Sequence, residues 1–287
     1  MDEITRIDSL EHCSMDCVLI AFEKAFSDYD TKFSRTEVSA MLKRRGFCNK
    51  LSFAAFTHQD EIAAFTLNGV GMMGGCLTAY DTGTATLPEY RGMGLAPRIF
   101  EYSLPFLKNA GIKRYVLEVL QHNDKAISVY KGLGFNVTRE FYYFRANKEE
   151  VLKHVNNNHS VTIDICDADM ISRLSDIGDF KPSWQNSVES IVRAGNDVTC
   201  LCAFIDGNPV GYCVFDKYSG DITQIAVQEK FRRNRIGTAL MCQAAQSMTS
   251  PIVKVINTEI PCHTLEGFLK HCGISIAGKQ YEMCRDI

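Results

Sequence analysis

The chain has no surplus of positive charge, no apolar run long enough to cross a membrane, no C-x-x-C pair and only one tryptophan. With 31 Lys and Arg against 34 Asp and Glu, the net charge is −3. That balance excludes non-specific nucleic-acid binding as the main task. Without a segment of about 20 apolar residues, no spanning helix and no membrane partner are expected. Met1-Asp2-Glu3 is acidic and polar, unlike the start of a secretory leader, so a cytoplasmic location is expected. The twelve cysteines, among them Cys13, Cys17, Cys48, Cys76, Cys166, Cys200 and Cys202, are scattered, which points to free buried thiols. His12-Cys13 with Cys17, Cys262-His263 and His271-Cys272 miss the spacings of a zinc site, and no metal is expected.

What is present suffices for two cores. At 287 residues, with 46% hydrophobic and 23% charged, the chain is long for one domain and natural for two. A strand is expected at Glu3–Asp8 and a helix from Met15 to Ser27. Ser34 with Glu37 three residues on reads as the capped start of a second helix. Strands follow at Ser52–Thr57, Ile62–Leu67 and Cys76–Leu87, then a helix, a strand at Arg114–Leu120, a helix at Asn123–Lys131 and a strand at Phe141–Phe144. The segment from 148 to 160, with Asn156-Asn157-Asn158, is polar and reads as a linker. Beyond it the order of elements begins again. Arg91 and Arg232 head two comparable turns and Gly134 and Gly273 close two comparable helices, so one offset of about 140 residues relates two copies of a domain. The expected division is 1–147, a linker at 148–160 and 161–287.

The stretch Leu87 to Leu104 organises the first copy. A strand ends at Thr84-Ala85-Thr86-Leu87-Pro88, turns through Arg91-Gly92-Met93-Gly94-Leu95-Ala96 and continues with Leu95, Ile99, Tyr102 and Phe106 at helical spacing. Such a turn bares backbone N–H groups at the positive end of a helix dipole, a ready site for phosphate. Gly92 and Gly94 allow close approach, and Arg91 adds charge. The hexapeptide fits the R/Q-x-x-G-x-G/A signature, and in this respect the chain resembles the GNAT N-acetyltransferase superfamily. The order of elements in residues 1–147 is that of a GNAT domain too. The resemblance implies a mixed α/β fold of two tandem GNAT-type domains.

The same resemblance implies acetyl-CoA as co-substrate and an amine as acceptor, joined by direct attack in a ternary complex. It lays the pantetheine arm along Thr84, Ala85 and Thr86 and gives the pyrophosphate to the residues from Gly92 through Met93, Gly94, Leu95 and Ala96 to Pro97. The family's general acid is a helix tyrosine with an asparagine seven residues before it, matched here by Tyr130 and Asn123. Some members carry a glutamate five residues before that asparagine as general base, matched by Glu118. Two readings stand for each residue. Tyr130 is the acid or a packed ring, and Asn123 is a cofactor contact, a helix N-cap, or both. Glu118 is a base or a salt-bridged strand carboxylate. Tyr80 and Asp81 stand as acceptor-pocket residues.

The second copy departs from the pattern. Arg235 replaces Gly94, Leu269 replaces Tyr130 and Lys254 is aligned with Glu118, so this copy is expected to be non-catalytic. Trp184, between its first two helices, faces a ligand or packs. Gly69-Val70-Gly71-Met72-Met73-Gly74 spells a dinucleotide fingerprint, but a strand rather than a helix follows, so it reads as a hairpin. The leading expectation is therefore an acetyl-CoA-dependent N-acetyltransferase of the first domain, acting on a small-molecule or peptide amine. A non-catalytic protein that binds acyl-CoA or a partner is the alternative.

Overall fold

The computed structural model describes residues 3–28, 34–155 and 161–287. The Asn156-Asn157-Asn158 part of the expected linker lies outside them. The chain forms two compact units: Met1–Thr138 with Glu282–Ile287, and Arg139–Tyr281. The boundaries read from the sequence, 147 and 161, are not those of the units. The first repeat's closing strand lies mostly in the second unit, and the chain's last residues lie in the first.

The first unit begins with β1 (Ile4–Ser9), α1 (Met15–Ala25) and α2 (Arg35–Arg45). Ser14 caps α1 by accepting from Cys17 N, and Ser34 and Glu37 form a capping box on α2. Next come β2 (Phe53–Thr57), β3 (Ile62–Met73), β4 (Cys76–Thr86), α3 (Leu95–Asn109), β5 (Arg114–Leu120) and α4 (Asp124–Gly132). The strand order is β1-β2-β3-β4-β5, antiparallel except for β4 and β5. β3 runs on through the glycine-rich segment to a turn at Gly74 and Gly75, both at positive φ. The dinucleotide spelling is thus strand and hairpin.

Phe22, Val38, Leu42, Phe53 and Phe65 lie in one buried cluster beneath α1 and α2. Each such side chain contributes on the order of 1.5–3 kcal/mol by leaving water. The end of α2 is pressed against β3. A Cβ on Gly69 would stand 2.0 Å from the Arg45 carbonyl oxygen, so only glycine permits the approach. That approach aims Arg45 at β4, where its guanidinium donates to Thr82 O at 2.9 Å.

The second unit carries most of β6 (Asn136–Asn147), then α5 (Lys148–His154), β7 (Thr162–Cys166), α6 (Ala168–Leu174), α7 (Val188–Ala194), β8 (Thr199–Ile205) and β9 (Asn208–Asp216). It continues with β10 (Asp221–Val227), α8 (Ile236–Ser247), β11 (Ile252–Glu259), α9 (His263–His271) and β12 (Ser275–Asp286), whose end belongs to the first unit. Its strands run β6-β11-β10-β9-β8-β7. Part of the expected linker is helical: α5 buries Val151 in this unit's core.

All twelve cysteines are free. Six are buried, Cys17 is exposed and the rest are half-buried. Burial pushes Cys200 up to about 11 and Cys272 up to about 12, which keeps both as thiols at neutral pH. Among the described residues, no helix is long and apolar enough to cross a membrane, and no cluster of His, Cys, Asp and Glu is arranged to hold a metal.

Candidate active site

The site begins with a parting of two strands. β4 and β5 are paired from Thr78 opposite Arg114 to Tyr80 opposite Val116, and the ladder stops there. Directly after Tyr80, β4 takes an extra residue: Asp81 faces Asn68 and Gly83 faces Leu67, leaving Thr82 as a bulge. Thr84, Ala85 and Thr86 still pair with β3 but have left β5. Their other edge borders a cleft of about 310 Å³. Ala96, Asn123, Lys125 and Tyr130 also line it.

The glycine turn stands at one end of this cleft. Gly92 and Gly94 have φ of 83° and 66°, and an added Cβ at either meets nothing within 4 Å. Gly94 is the N-cap of α3, and no side chain caps that helix. Met93 is exposed, Leu95 is buried, and Ala96 and Pro97 are half-buried. Arg91 does something the sequence did not disclose. Its guanidinium donates to Asp28 Oδ1 at 2.9 Å, Ala25 O at 3.0 Å and Thr86 O at 3.2 Å. It ties the end of β4 to the end of α1 and holds the exposed Asp28 carboxyl below its usual range. Asp28 could not be foreseen, because its partner lies 63 residues away in sequence.

Asn123 caps α4, accepting from Ala126 N at 3.2 Å, and also lines the cleft. Tyr130 packs edge-on against Phe135 and donates its hydroxyl to Asp81 Oδ2 at 3.1 Å. Thr84 Oγ1 reaches the same oxygen at 2.8 Å, while Asp81 Oδ1 is buried and accepts from none of the described residues. Burial is the main cause that raises the Asp81 carboxyl above its ordinary range, against the hydrogen bonds from Thr84, Tyr130 and the Gly83 backbone and the charge of Arg45. Tyr130 is held well above the usual phenol value by burial and then by the Asp81 charge.

Glu118 is placed differently. Its Oε2 accepts from the buried Tyr80 hydroxyl at 2.7 Å, and it does not line the cleft. Of the pair assigned to an acceptor pocket, Asp81 lines the cleft and Tyr80 does not.

The second unit repeats the parting and fills it. β10 has its extra residue at Thr223, and its pairing with β11 is Asp221 opposite Lys254. That register places Lys254 at the position of Val116 and Ile256 at that of Glu118, a shift from the sequence alignment. The gap holds this unit's own residues 183–186. Asn186 Nδ2 donates to Ile256 O at 2.9 Å and Gln224 Nε2 donates to Asn186 O at 2.5 Å. Asn257 Nδ2 donates to Ser183 Oγ at 2.8 Å. Trp184 is 3% exposed and packed beneath the Arg193 guanidinium. The cavity left there is about 50 Å³. The turn keeps its backbone form, with Arg233 and Arg235 at φ 64° and 61°, but side chains stand where the first unit has glycines. Leu269 is fully buried.

Parted parallel strands, a bulge beside the gap and a turn opening a helix thus recur in both units, with glycines in the turn of the first. The chain belongs to the acetyltransferase (GNAT) family, whose profile matches residues 22–135 and 170–271, one stretch in each repeat. It is an acyltransferase by that membership. It is 30% identical over 106 residues to N-alpha-acetyltransferase 30 of Schizosaccharomyces pombe, covering 37% of this chain and 71% of that one. In fold it is similar to a tandem GNAT protein from the clavulanic acid biosynthesis pathway, at 10% identity, 98% coverage of both chains and a TM-score of 0.72. A GCN5-related N-acetyltransferase from Sphaerobacter thermophilus gives 13% identity, 98% and 95% coverage and a TM-score of 0.69.

Proposed function

We propose that the first unit transfers an acetyl group from acetyl-CoA to a primary amine by direct attack in a ternary complex. The observation that carries the reading is one continuous cleft joining the edge of Thr84–Thr86 turned away from β3, Ala96 in the first turn of α3, and Tyr130. Acetyl-CoA fits this set of residues. The strand edge offers N–H and C=O groups to an amide-bearing arm, and the open turn with the uncapped start of α3 offers amides to a diphosphate. Lys125, exposed and lining the cleft, adds a cation.

The remaining steps belong to side chains. Tyr130 donates the proton that the departing sulfur needs, and Asn123 holds the start of the helix that carries it. The second unit takes no part in transfer, supported by its filled gap and Leu269. With this reading goes the cytoplasmic location expected from the sequence. The acceptor class includes α-amino groups, since the relative at 30% identity is an N-alpha-acetyltransferase.

The test is acetyl-CoA-dependent thiol release over small amines, lysine and peptides with a free α-amino group. Tyr130→Phe is expected to lower kcat by roughly 10²–10⁴-fold while leaving acetyl-CoA affinity unchanged. Equal turnover removes Tyr130 from the mechanism. Gly94→Arg puts a side chain where the diphosphate lies and is expected to weaken acetyl-CoA at least about tenfold by calorimetry. Acetyl-CoA binding without turnover of any amine supports the non-catalytic binding protein instead.

A further inference from the structure

We propose that Arg45 is a positioning residue for acetyl transfer: reaching from the end of α2, it holds the carbonyl of the bulged Thr82 and so fixes the strand edge offered to the coenzyme's amide-bearing arm. The proposal rests on the acetyl-transfer reading and deepens it.

Thr82 is the residue that the register of β4 with β3 skips. A bulged residue is left out of the ladder, so its place depends on what else holds it. Thr82 is held twice. Its hydroxyl donates to Leu67 O at 2.9 Å, and its carbonyl accepts from Arg45 Nη1 at 2.9 Å. The second contact is charge-assisted, and such hydrogen bonds are roughly twice as strong as neutral ones. The edge Thr84–Thr86 begins two residues further on, past the point where β5 has left β4. Arg45 therefore ties to a helix the stretch of β4 that no longer has β5 beside it.

The surrounding fold delivers that side chain. α2 ends at Arg45, where Gly46 takes the left-handed form with φ of 76°. The next residues are laced to β3: Val70 N donates to Gly46 O at 3.0 Å, and Cys48 N donates to Asn68 O at 2.8 Å. A Cβ on Gly69 would meet not only Arg45 O but also Thr82 Cγ2, at 3.3 Å. Arg45 is half-buried, and its guanidinium carbon lies 6.0 Å from the centre of the Tyr80 ring. The guanidinium is thus set between Tyr80, the last residue paired with β5, and the bulged Thr82.

The second repeat gives an internal comparison. Aligned on the glycines that end the two helices, Gly46 and Gly195, Arg45 corresponds to the fully buried Ala194. Alanine has no donor to reach a bulge. The guanidinium one residue earlier, on Arg193, lies over Trp184 and donates to Ser190 Oγ at 2.9 Å. The unit with an open cleft has an arginine at this helix end, and the unit with a filled gap has none there.

The test compares Arg45→Met, which keeps an unbranched stem but has no donor, with Arg45→Lys, which keeps a charged donor. Full chains are assayed with acetyl-CoA and, as acceptors, spermidine, lysine and a peptide with a free α-amino group. Arg45→Met is expected to lower kcat by roughly 10²-fold, the scale of a misplacement of about 1 Å. Acetyl-CoA affinity, by calorimetry, is expected to fall far less, since the glycine turn at the other end of the cleft is untouched. Arg45→Lys is expected to restore most of the lost kcat, because an ammonium can donate to the same carbonyl. A readout independent of turnover is amide hydrogen exchange, expected to quicken across Thr82–Thr86 in Arg45→Met and to stay native in β2. Native kcat in Arg45→Met, an equal loss in Arg45→Lys, unmoved exchange at Thr82–Thr86, or an Arg45→Met chain that does not fold overturns the proposal. A native chain that binds no acetyl-CoA, or acetylates none of the amines, overturns the acetyl-transfer reading and the role in transfer with it. Faster exchange in Arg45→Met separates that outcome from a failure of Arg45 to hold the bulge.

Discussion

Asp81 sits among Tyr80, Tyr115 and Tyr130 in a place that disfavours its charge. A carboxyl raised by the fold adds stability below its unfolded value, and that stability is lost as pH rises through its folded value. At neutral pH the ionised group therefore weakens the fold. Asp81→Asn is expected to raise the melting temperature at about pH 7 and to give no gain at about pH 3, where both forms are neutral. Melting curves at the two pH values check it; a lower melting point at neutral pH contradicts the sign.

Local spacing placed the helix start at Asn123, Tyr130 on that helix and the positive-φ glycines of the turn. The choice between Glu118 and Asp81 was hidden, because the bulge at Thr82 decides which carboxylate meets the cleft. Arg91 lines the cleft, and its tie to α1 was hidden for a related reason. Its charge is answered by Asp28, a contact made only when α1 closes on the turn.

At the scale of elements, the two repeats share a parting of strands and differ in what enters it. In the second unit the short piece from Ser183 to Asn186 closes the gap through side-chain amides. Asn186→Ala leaves the Ile256 carbonyl without that donor and is expected to cost about 1–3 kcal/mol, read by denaturant unfolding. Acetyl transfer, placed in the other unit, is expected to be unchanged. Periodicity and turn residues located most helices and strands, and the capping box at Ser34 appeared where the sequence put it. Strand lengths were less legible. β3 runs to Met73 and β6 spans Asn136–Asn147, because pairing with neighbours, not composition, sets where a strand stops.

At the scale of the whole molecule, the repeat in sequence and the division in space do not coincide. The residues Glu282–Ile287 belong to the first unit. There Ile287 N donates to Lys113 O at 3.0 Å, and Arg285 bonds the Leu133 carbonyl and lies 5.3 Å from the Phe100 ring. Both Leu133 and Phe100 line the cleft. Deleting Glu282–Ile287 is expected to destabilise the first unit and weaken acetyl-CoA binding at least about tenfold, as seen by calorimetry. Limited proteolysis is expected to cut the first unit while sparing Arg139–Tyr281. No local pattern marked this arrangement, since it joins the last residues of the chain to a strand laid down far earlier.

The arrangement has a consequence for any shortened chain. A shortened gene that stopped after the first repeat would encode a sheet with a raw border, prone to sticking to its own kind. Because Glu282–Ile287 completes the first unit, the first repeat cannot be cut free of the second without losing part of itself.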